Sequence, residues 1–143
     1  MSSNKNIYEV FDDFKAASGK NERLAVLKNN DSYALRQVLL GTFEKGIVFD
    51  VDVPKFNRQE IPPGMAYSHM TSVLDRVYLF VKDNARRPQG LSKERQTQLL
   101  IQILESIEPA EADVFVAMLK KDLKVPYLTP TLVNEAFPGL LSQ

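Results

Sequence analysis

Apolar residues recur at three- and four-residue spacing through almost the whole chain, and this spacing is typical of amphipathic helices. In only one segment, residues 47–53, do apolar residues alternate in the two-residue repeat of a half-buried strand. Because an isolated strand cannot satisfy its own edge, this segment either packs on the helices or pairs with residues 55–61. The pattern therefore predicts an all-α fold, a compact irregular bundle of six to seven helices with one short extended segment near 47–53.

Caps and breakers give the bounds of the helices. Ser92 and Thr129 are hydroxyl N-cap candidates, and Pro109 and Pro130 suit a first helical position. The predicted helices are 6–17, 20–29, 33–45 ending at Gly46, a central core helix 68–82 capped by Ser68, 92–107, 109–125 and 130–137. Residues 54–67 are predicted to form a loop within one domain, 1–143, because the part before them is too small to fold alone.

Composition removes several classes of function. The chain has no cysteine and a single histidine, so it has no disulfide framework, no thiolate nucleophile and no Cys-ligated zinc. It contains no apolar run of signal-peptide or membrane-span length, which favours a cytoplasmic protein, in the host cell if a phage encodes it.

No pattern of catalytic residues stands out. Asp50 and Asp52 share one face of the extended segment, but two carboxylates are too few for a hard cation, and a solvated face is the simpler interpretation. His69 is a candidate proton carrier without a nucleophile nearby in the sequence. No glycine-rich phosphate loop is present. We therefore expect no enzymatic activity, no metal and no cofactor.

Two patches of sequence carry a resemblance to a known family. The first runs from the basic cluster KKDLK at 120–124 through Thr131, Val133 and Asn134 to FPGL at 137–140. The second begins with AASGK at 16–20 and continues through a helix with Leu35, Arg36 and Val38. In this order they resemble the N-terminal DNA-binding domain of bacteriophage-type ATP-dependent DNA ligases. The chain also resembles small proteins of T4-like phages that bring no known activity with them.

The resemblance implies a helical domain that grips the sugar-phosphate backbone of duplex DNA without reading sequence. It does not extend to catalysis. Ligases of this kind carry AMP on a lysine of a Lys-x-Asp-Gly motif, whereas Lys82-Asp83-Asn84 has the wrong spacing and lacks the glycine. The sequence ends at Gln143, where the catalytic domain is expected to begin, so we expect a stand-alone, non-catalytic relative.

The predicted DNA contacts form two groups. The first lies at the end of the penultimate helix and the start of the last one, and the second lies in the connector before helix 92–107. The residues are Lys120, Lys121, Lys124, Thr129, Thr131 and Asn134 in the first group, and Arg86 and Arg87 in the second. Lys93 and Arg95 extend the second group.

Three readings remain open because 18 Lys and Arg residues balance 18 Asp and Glu residues, whereas nucleic-acid binders are usually basic. The first is an accessory protein that binds duplex DNA weakly and without sequence specificity, or that acts on a phage or host protein bound to DNA. The second is a protein-protein adaptor on a replication, transcription or virion component, using the loop 54–67 with Phe56, Ile61, Met65 and Tyr67, rimmed by Lys55 and Arg58. The third is a capped, solvated helix hairpin with no partner there.

Overall fold

The computed structural model describes residues 6–53, 55–56 and 69–142. Its α-helices are α1 (Ile7–Ala16), α2 (Lys20–Asn29), α3 (Tyr33–Phe43), α4 (Met70–Leu74), α5 (Lys93–Ser106), α6 (Pro109–Leu119) and α7 (Pro130–Ala136), with a 3₁₀ helix at Val77–Phe80. The β-pairing within the described residues is a single antiparallel bridge between Phe49 and Val81. The all-α prediction with one short extended segment is confirmed.

Local capping explains where several helices begin. The hydroxyl oxygens of Ser32, Ser92 and Thr129 accept hydrogen bonds from backbone N–H groups three residues later, at 3.1, 3.1 and 3.2 Å. Each bond satisfies one of the backbone donors that a helix start leaves free. These starts are local features, which is why the sequence predicts them to the residue.

Helix α6 occupies the middle of the core, where it packs against α1, α3 and α5. Phe115 of α6 is fully buried, and its ring meets that of Phe80 edge to face at 6.4 Å and 88°. Gly41 lets α3 approach α6 closely, since a Cβ atom there would lie 2.8 Å from the Sδ atom of Met118. The central helix is therefore α6, and the prediction that helix 68–82 is central is wrong.

The predicted long helix 68–82 is also wrong in its extent. The chain forms α4, then the 3₁₀ helix, and then extends at Val81. The Asp50 amide donates to the Phe80 carbonyl at 3.0 Å, and the Lys82 amide donates to the Val48 carbonyl at 2.7 Å. Backbone groups that the helix would have used are thus paired with the extended segment, and β-branched Val77 and Val81 weaken the helical alternative.

Two other helices end earlier than predicted. Helix α3 stops at Phe43, where Glu44 is already extended, and α6 stops at Leu119, so the cluster 120–124 lies outside the helix. Residue 68 and positions 54 and 57–67 of the predicted loop, with Ile61, Met65 and Tyr67, lie outside the described residues. None of the described helices has the length and apolar character needed to span a bilayer.

Candidate nucleic-acid interface

Four of the predicted contact residues, Lys120, Lys121, Lys124 and Thr129, lie in the connector between α6 and α7, residues 120–129, which we call the α6–α7 connector. It begins with a helix-terminating motif in which the Lys121 amide donates to the Met118 carbonyl at 2.9 Å and the Asp122 amide to the Ala117 carbonyl at 3.0 Å. This pair of bonds requires a left-handed residue, usually glycine, and here that residue is Lys121 with φ 58°. The prediction that the basic cluster ends the helix is therefore corrected: the lysines lie on a turn.

The connector contains three non-glycine residues in the left-handed region, namely Lys121, Lys124 and Tyr127, with φ of 58°, 57° and 69°. Such a conformation costs roughly 1–2 kcal/mol per residue and persists only where the surroundings enforce it. The Asp122 carboxylate accepts the Lys124 amide at 3.0 Å, and buried Leu128 ties the far end to the core. The connector is thus a strained and well-supported surface loop.

Lys121 is mainly a structural residue. Its Nζ atom donates to the backbone carbonyl of Glu44 at 2.6 Å and so satisfies a carbonyl at the C-terminal end of α3. Burial lowers the pKa of the Lys121 ammonium, and the nearby Glu44 carboxylate opposes that shift. A lysine that is already bonded inside the protein has little freedom left to contact a phosphate.

Two further predicted contacts also have internal roles. Thr129 caps α7 through its hydroxyl oxygen. The Asn134 side chain accepts the Leu141 amide at 2.9 Å and donates to the Leu141 carbonyl at 3.4 Å, which holds the buried Leu141 in place. Lys120, Lys124 and Thr131, by contrast, are exposed on the connector and on the first turn of α7.

The second predicted group is partly held in contacts within the protein. Arg87 forms an ion pair with Asp50 at 2.6 Å and also bonds the Val81 carbonyl at 3.2 Å. Burial alone would raise the pKa of the Asp50 carboxyl, but hydrogen bonds from Arg87 and Gln96 and the nearby positive charges lower it overall. Lys93 donates to the Asp50 backbone carbonyl, while exposed Arg86 lies 4.3 Å above the Tyr78 ring. Arg86 is therefore the more accessible of the two arginines.

One residue of each predicted group, Lys121 in the first and Arg87 in the second, bonds the segment 44–50. Lys121 bonds residue 44 at one end, and Arg87 bonds residue 50 at the other. Six residue steps of backbone span at most about 20 Å, so the Cα atoms of residues 44 and 50 cannot be farther apart than that. This segment, which includes the first residues of the alternating stretch 47–53, thus links Lys121 and Arg87.

Sequence reasoning missed a contact between the connector and α2. The guanidinium of Arg23 in α2 lies 3.9 Å above the ring of Tyr127, which is 67% exposed. On the same helix pair, Lys20 meets Glu135 of α7 at 3.0 Å. The packing of α2 on α7 brings these residues together, and no local pattern announces it. The one available signal was an aromatic residue placed between Pro126 and Leu128 in a turn.

The candidate catalytic residues form no site. Asp50 is occupied by Arg87 and Gln96, whereas Asp52 is exposed. His69 is exposed and immediately precedes α4. Within residues 6–53, 55–56 and 69–142, no group of three or more His, Cys, Asp or Glu side chains is arranged to hold a metal ion.

Comparison with curated proteins found no match. A sequence model of one protein family matches residues 10–125, from within α1 through α6 to the beginning of the α6–α7 connector. The match covers well over half of the chain. The protein therefore belongs to DUF6433, a family of unknown function.

Proposed function

We propose that this protein is a non-catalytic accessory factor, of phage origin, that binds the backbone of duplex DNA weakly and without sequence specificity. Its contact surface is the α6–α7 connector. The observation that carries the proposal is the strained turn that holds exposed Lys120 and Lys124 on a supported backbone. Strained backbone is concentrated at functional sites, and the sequence resemblance to the ligase DNA-binding domain assigns the same connector to phosphate contact.

The composition of the contact surface differs from the one that the sequence suggested. Lys120, Lys124 and Thr131 are retained, Arg23 is added beside them, and Arg86 is a peripheral contact. Lys121, Asn134 and Arg87 instead support the structure, and Thr129 does so as a cap. Three lysine or arginine side chains neutralise about three phosphates, which gives a slope of about −3 in log affinity against log salt. This is a weak and strongly salt-sensitive interaction.

The test is a fluorescence-anisotropy titration of a labelled duplex at low salt, repeated as salt is raised. The double variant Lys120→Glu/Lys124→Glu should lose essentially all binding, because it replaces two attractive charges with two repulsive ones. Lys15→Glu/Lys82→Glu changes the net charge equally at two exposed lysines outside the connector, and it should bind much like the wild type. Equal losses in both double variants, or no binding by the wild type at low salt, would refute the proposal.

A second candidate function is a protein-protein adaptor acting on a replication, transcription or virion component. The specific observation in its favour is Tyr127, an exposed ring covered on one face by Arg23. Tyrosine and arginine are, together with tryptophan, the residue types enriched among interface hot spots. If Tyr127→Ser abolishes binding of a protein partner while Tyr33→Ser, at another exposed tyrosine, does not, the adaptor function is supported. If Tyr127→Ser instead weakens duplex binding and leaves binding of the protein partner unchanged, the result would argue against the adaptor function.

A further inference from the structure

Tyr127 occupies a turn position that normally belongs to glycine. The Leu128 amide donates to the Val125 carbonyl at 3.3 Å, which closes a tight turn with Pro126 and Tyr127 at its centre. Proline at the first central position and a positive φ, here 69°, at the second are the marks of a type II turn. Such a turn takes glycine or asparagine at the second position, so a bulky side chain there is an outlier.

The contacts of the Tyr127 ring within the protein do not offset this strain. The Arg23 guanidinium lies 3.9 Å from the ring centre, and Tyr127 is still 67% exposed. A cation–π contact at an exposed site stabilises by less than a left-handed tyrosine costs. Because Arg23 covers one face, most of the exposed ring surface lies on the other face and the edges. The chain therefore displays an aromatic surface at a net cost in stability.

The elements around Tyr127 carry a positive charge. Helix α2, the α6–α7 connector and α7 hold six lysine and arginine residues against three aspartate and glutamate residues, so their formal charge is +3 in a chain whose net charge is zero. The ion pair between Lys20 and Glu135 leaves this balance unchanged, and the partner of Lys121 is a neutral backbone carbonyl. A surface of this sign attracts anions.

Three cations of this surface can meet phosphate groups. Lys120 and Lys124 are exposed, and no carboxylate of the described residues pairs with either ammonium group. Arg23 stacks on Tyr127 through its flat face, which leaves the N–H donors at its edge available. Lys124 and Tyr127 are three residue steps apart, so their Cα atoms lie within about 11 Å, the length of about three stacked nucleotides.

We propose that Tyr127 stacks on an unpaired base while Lys120, Lys124 and Arg23 contact the phosphates next to it. This assignment rests on the proposed DNA binding and specifies the class of DNA, a duplex that continues into a single strand. Bases inside an intact duplex are stacked on their neighbours, so a protein ring reaches a base face only where the base is unpaired. Exposed lysines on the same turn favour this occupant over a protein hot spot, which is surrounded by contacts that exclude water.

The test is fluorescence anisotropy with the full chain at low salt and three labelled probes. They are a blunt duplex, the same duplex with a single-stranded overhang of about six nucleotides, and that duplex with an overhang of abasic sites. The abasic overhang keeps the phosphates and removes the bases. We expect the overhang with bases to bind about tenfold more tightly than the abasic one, because stacking on an aromatic ring contributes a factor of about that size.

The probes separate this inference from the function on which it rests. Equal affinities for the overhang with bases and the abasic overhang would overturn the inference, while salt-sensitive binding of the blunt duplex would still support the proposed function. Loss of binding to the blunt duplex alone would refute the duplex function, and the other two probes would still report on stacking. Binding to none of the three probes would refute both.

Variants at Tyr127 test whether the ring is the stacking surface. Tyr127→Leu should bind the two overhang probes equally, whereas Tyr127→Phe should keep the preference for bases because it keeps the ring. Tyr33→Leu changes another exposed tyrosine and should keep the preference too. An unchanged preference in Tyr127→Leu would overturn the inference and leave Tyr127 to the adaptor function.

Tyr127→Gly separates binding from folding. Glycine adopts a φ of 69° without strain, so this variant should unfold at a higher urea concentration than the wild type and still lose the preference for bases. A ring that serves the fold alone predicts the reverse, a lower urea midpoint. That result would overturn the inference, because the strain at Tyr127 would then be offset within the protein.

Discussion

Replacing Glu111 with glutamine is expected to remove a pH dependence from the stability of this protein. Glu111 is only 4% exposed, in the first turn of α6, and its Oε1 atom accepts the Tyr8 amide of α1 at 3.1 Å. Its other carboxylate oxygen is buried without a hydrogen-bond partner. Burial raises the pKa of Glu111 from 4.5 to about 7, with Glu108 and Glu9 adding to the shift and the backbone amides of Tyr8 and Ile7 opposing it.

The direction of the effect follows from the two pKa values. In the unfolded chain Glu111 loses its proton near pH 4.5, whereas in the folded protein it keeps the proton to about pH 7. Its stabilising contribution is therefore complete below pH 4.5 and is lost as the pH rises through about 7. The shift of about 2.5 pH units corresponds to about 3 kcal/mol in total, of which about 2.5 kcal/mol falls between about pH 5 and pH 8.

The assay is urea unfolding followed by circular dichroism from about pH 5 to pH 8. This range avoids the carboxylates of Glu22, Asp31, Glu44 and Asp50, whose lowered pKa values make their contribution decline only as the pH falls below about 4.5. The Glu111→Gln variant should lose the slope and be more stable than the wild type at pH 8 by about 1–2 kcal/mol, since its amide still lacks one partner.

The matched control is Asp113→Asn, which removes an exposed carboxylate from the same helix and should leave the slope in place. If Glu111→Gln keeps the wild-type pH dependence, or is less stable than the wild type at pH 8, then burial of an ionisable carboxyl is not what couples stability to pH.

Three further predictions concern backbone and packing, each read out as the free energy of unfolding. Lys124→Gly should stabilise the protein by about 0.5–1 kcal/mol, because relief of the left-handed strain at φ 57° exceeds the entropic cost of glycine. A destabilised variant would contradict the inference that this backbone is strained. Gly41→Ala should destabilise the protein by about 1 kcal/mol, because the steric cost of the new Cβ against Met118 and Phe49 exceeds the gain in helix propensity. A stabilised variant would show that α6 shifts to accommodate the Cβ atom. Asn134→Ala should lower the free energy of unfolding by about 1–2 kcal/mol, because it removes the hydrogen bonds that hold Leu141 in place. The control is Thr131→Ala, at an exposed position, which should change it little.

The residues of the proposed DNA contact surface could be predicted only in part, because the sequence does not reveal which way each side chain points. Lys120, Lys121 and Lys124 look equivalent in the sequence, yet the turn after Leu119 directs Lys121 to the Glu44 carbonyl and leaves the other two exposed. Arg23 and Tyr127 are about a hundred residues apart, and only the packing of α2 on α7 makes them neighbours.

The sequence alone determined the features that depend on residues within about one helical turn of each other. Ser92 and Thr129 start α5 and α7 because each hydroxyl reaches an amide three residues on, and apolar spacing fixes the buried faces. Tertiary structure decided the rest. Residues 80–82 leave the helix because residues 48–50 offer them hydrogen bonds, and Glu111 keeps its proton to about pH 7 because α1 covers it. Those partners lie dozens of residues away, so their energies enter only when the chain has folded.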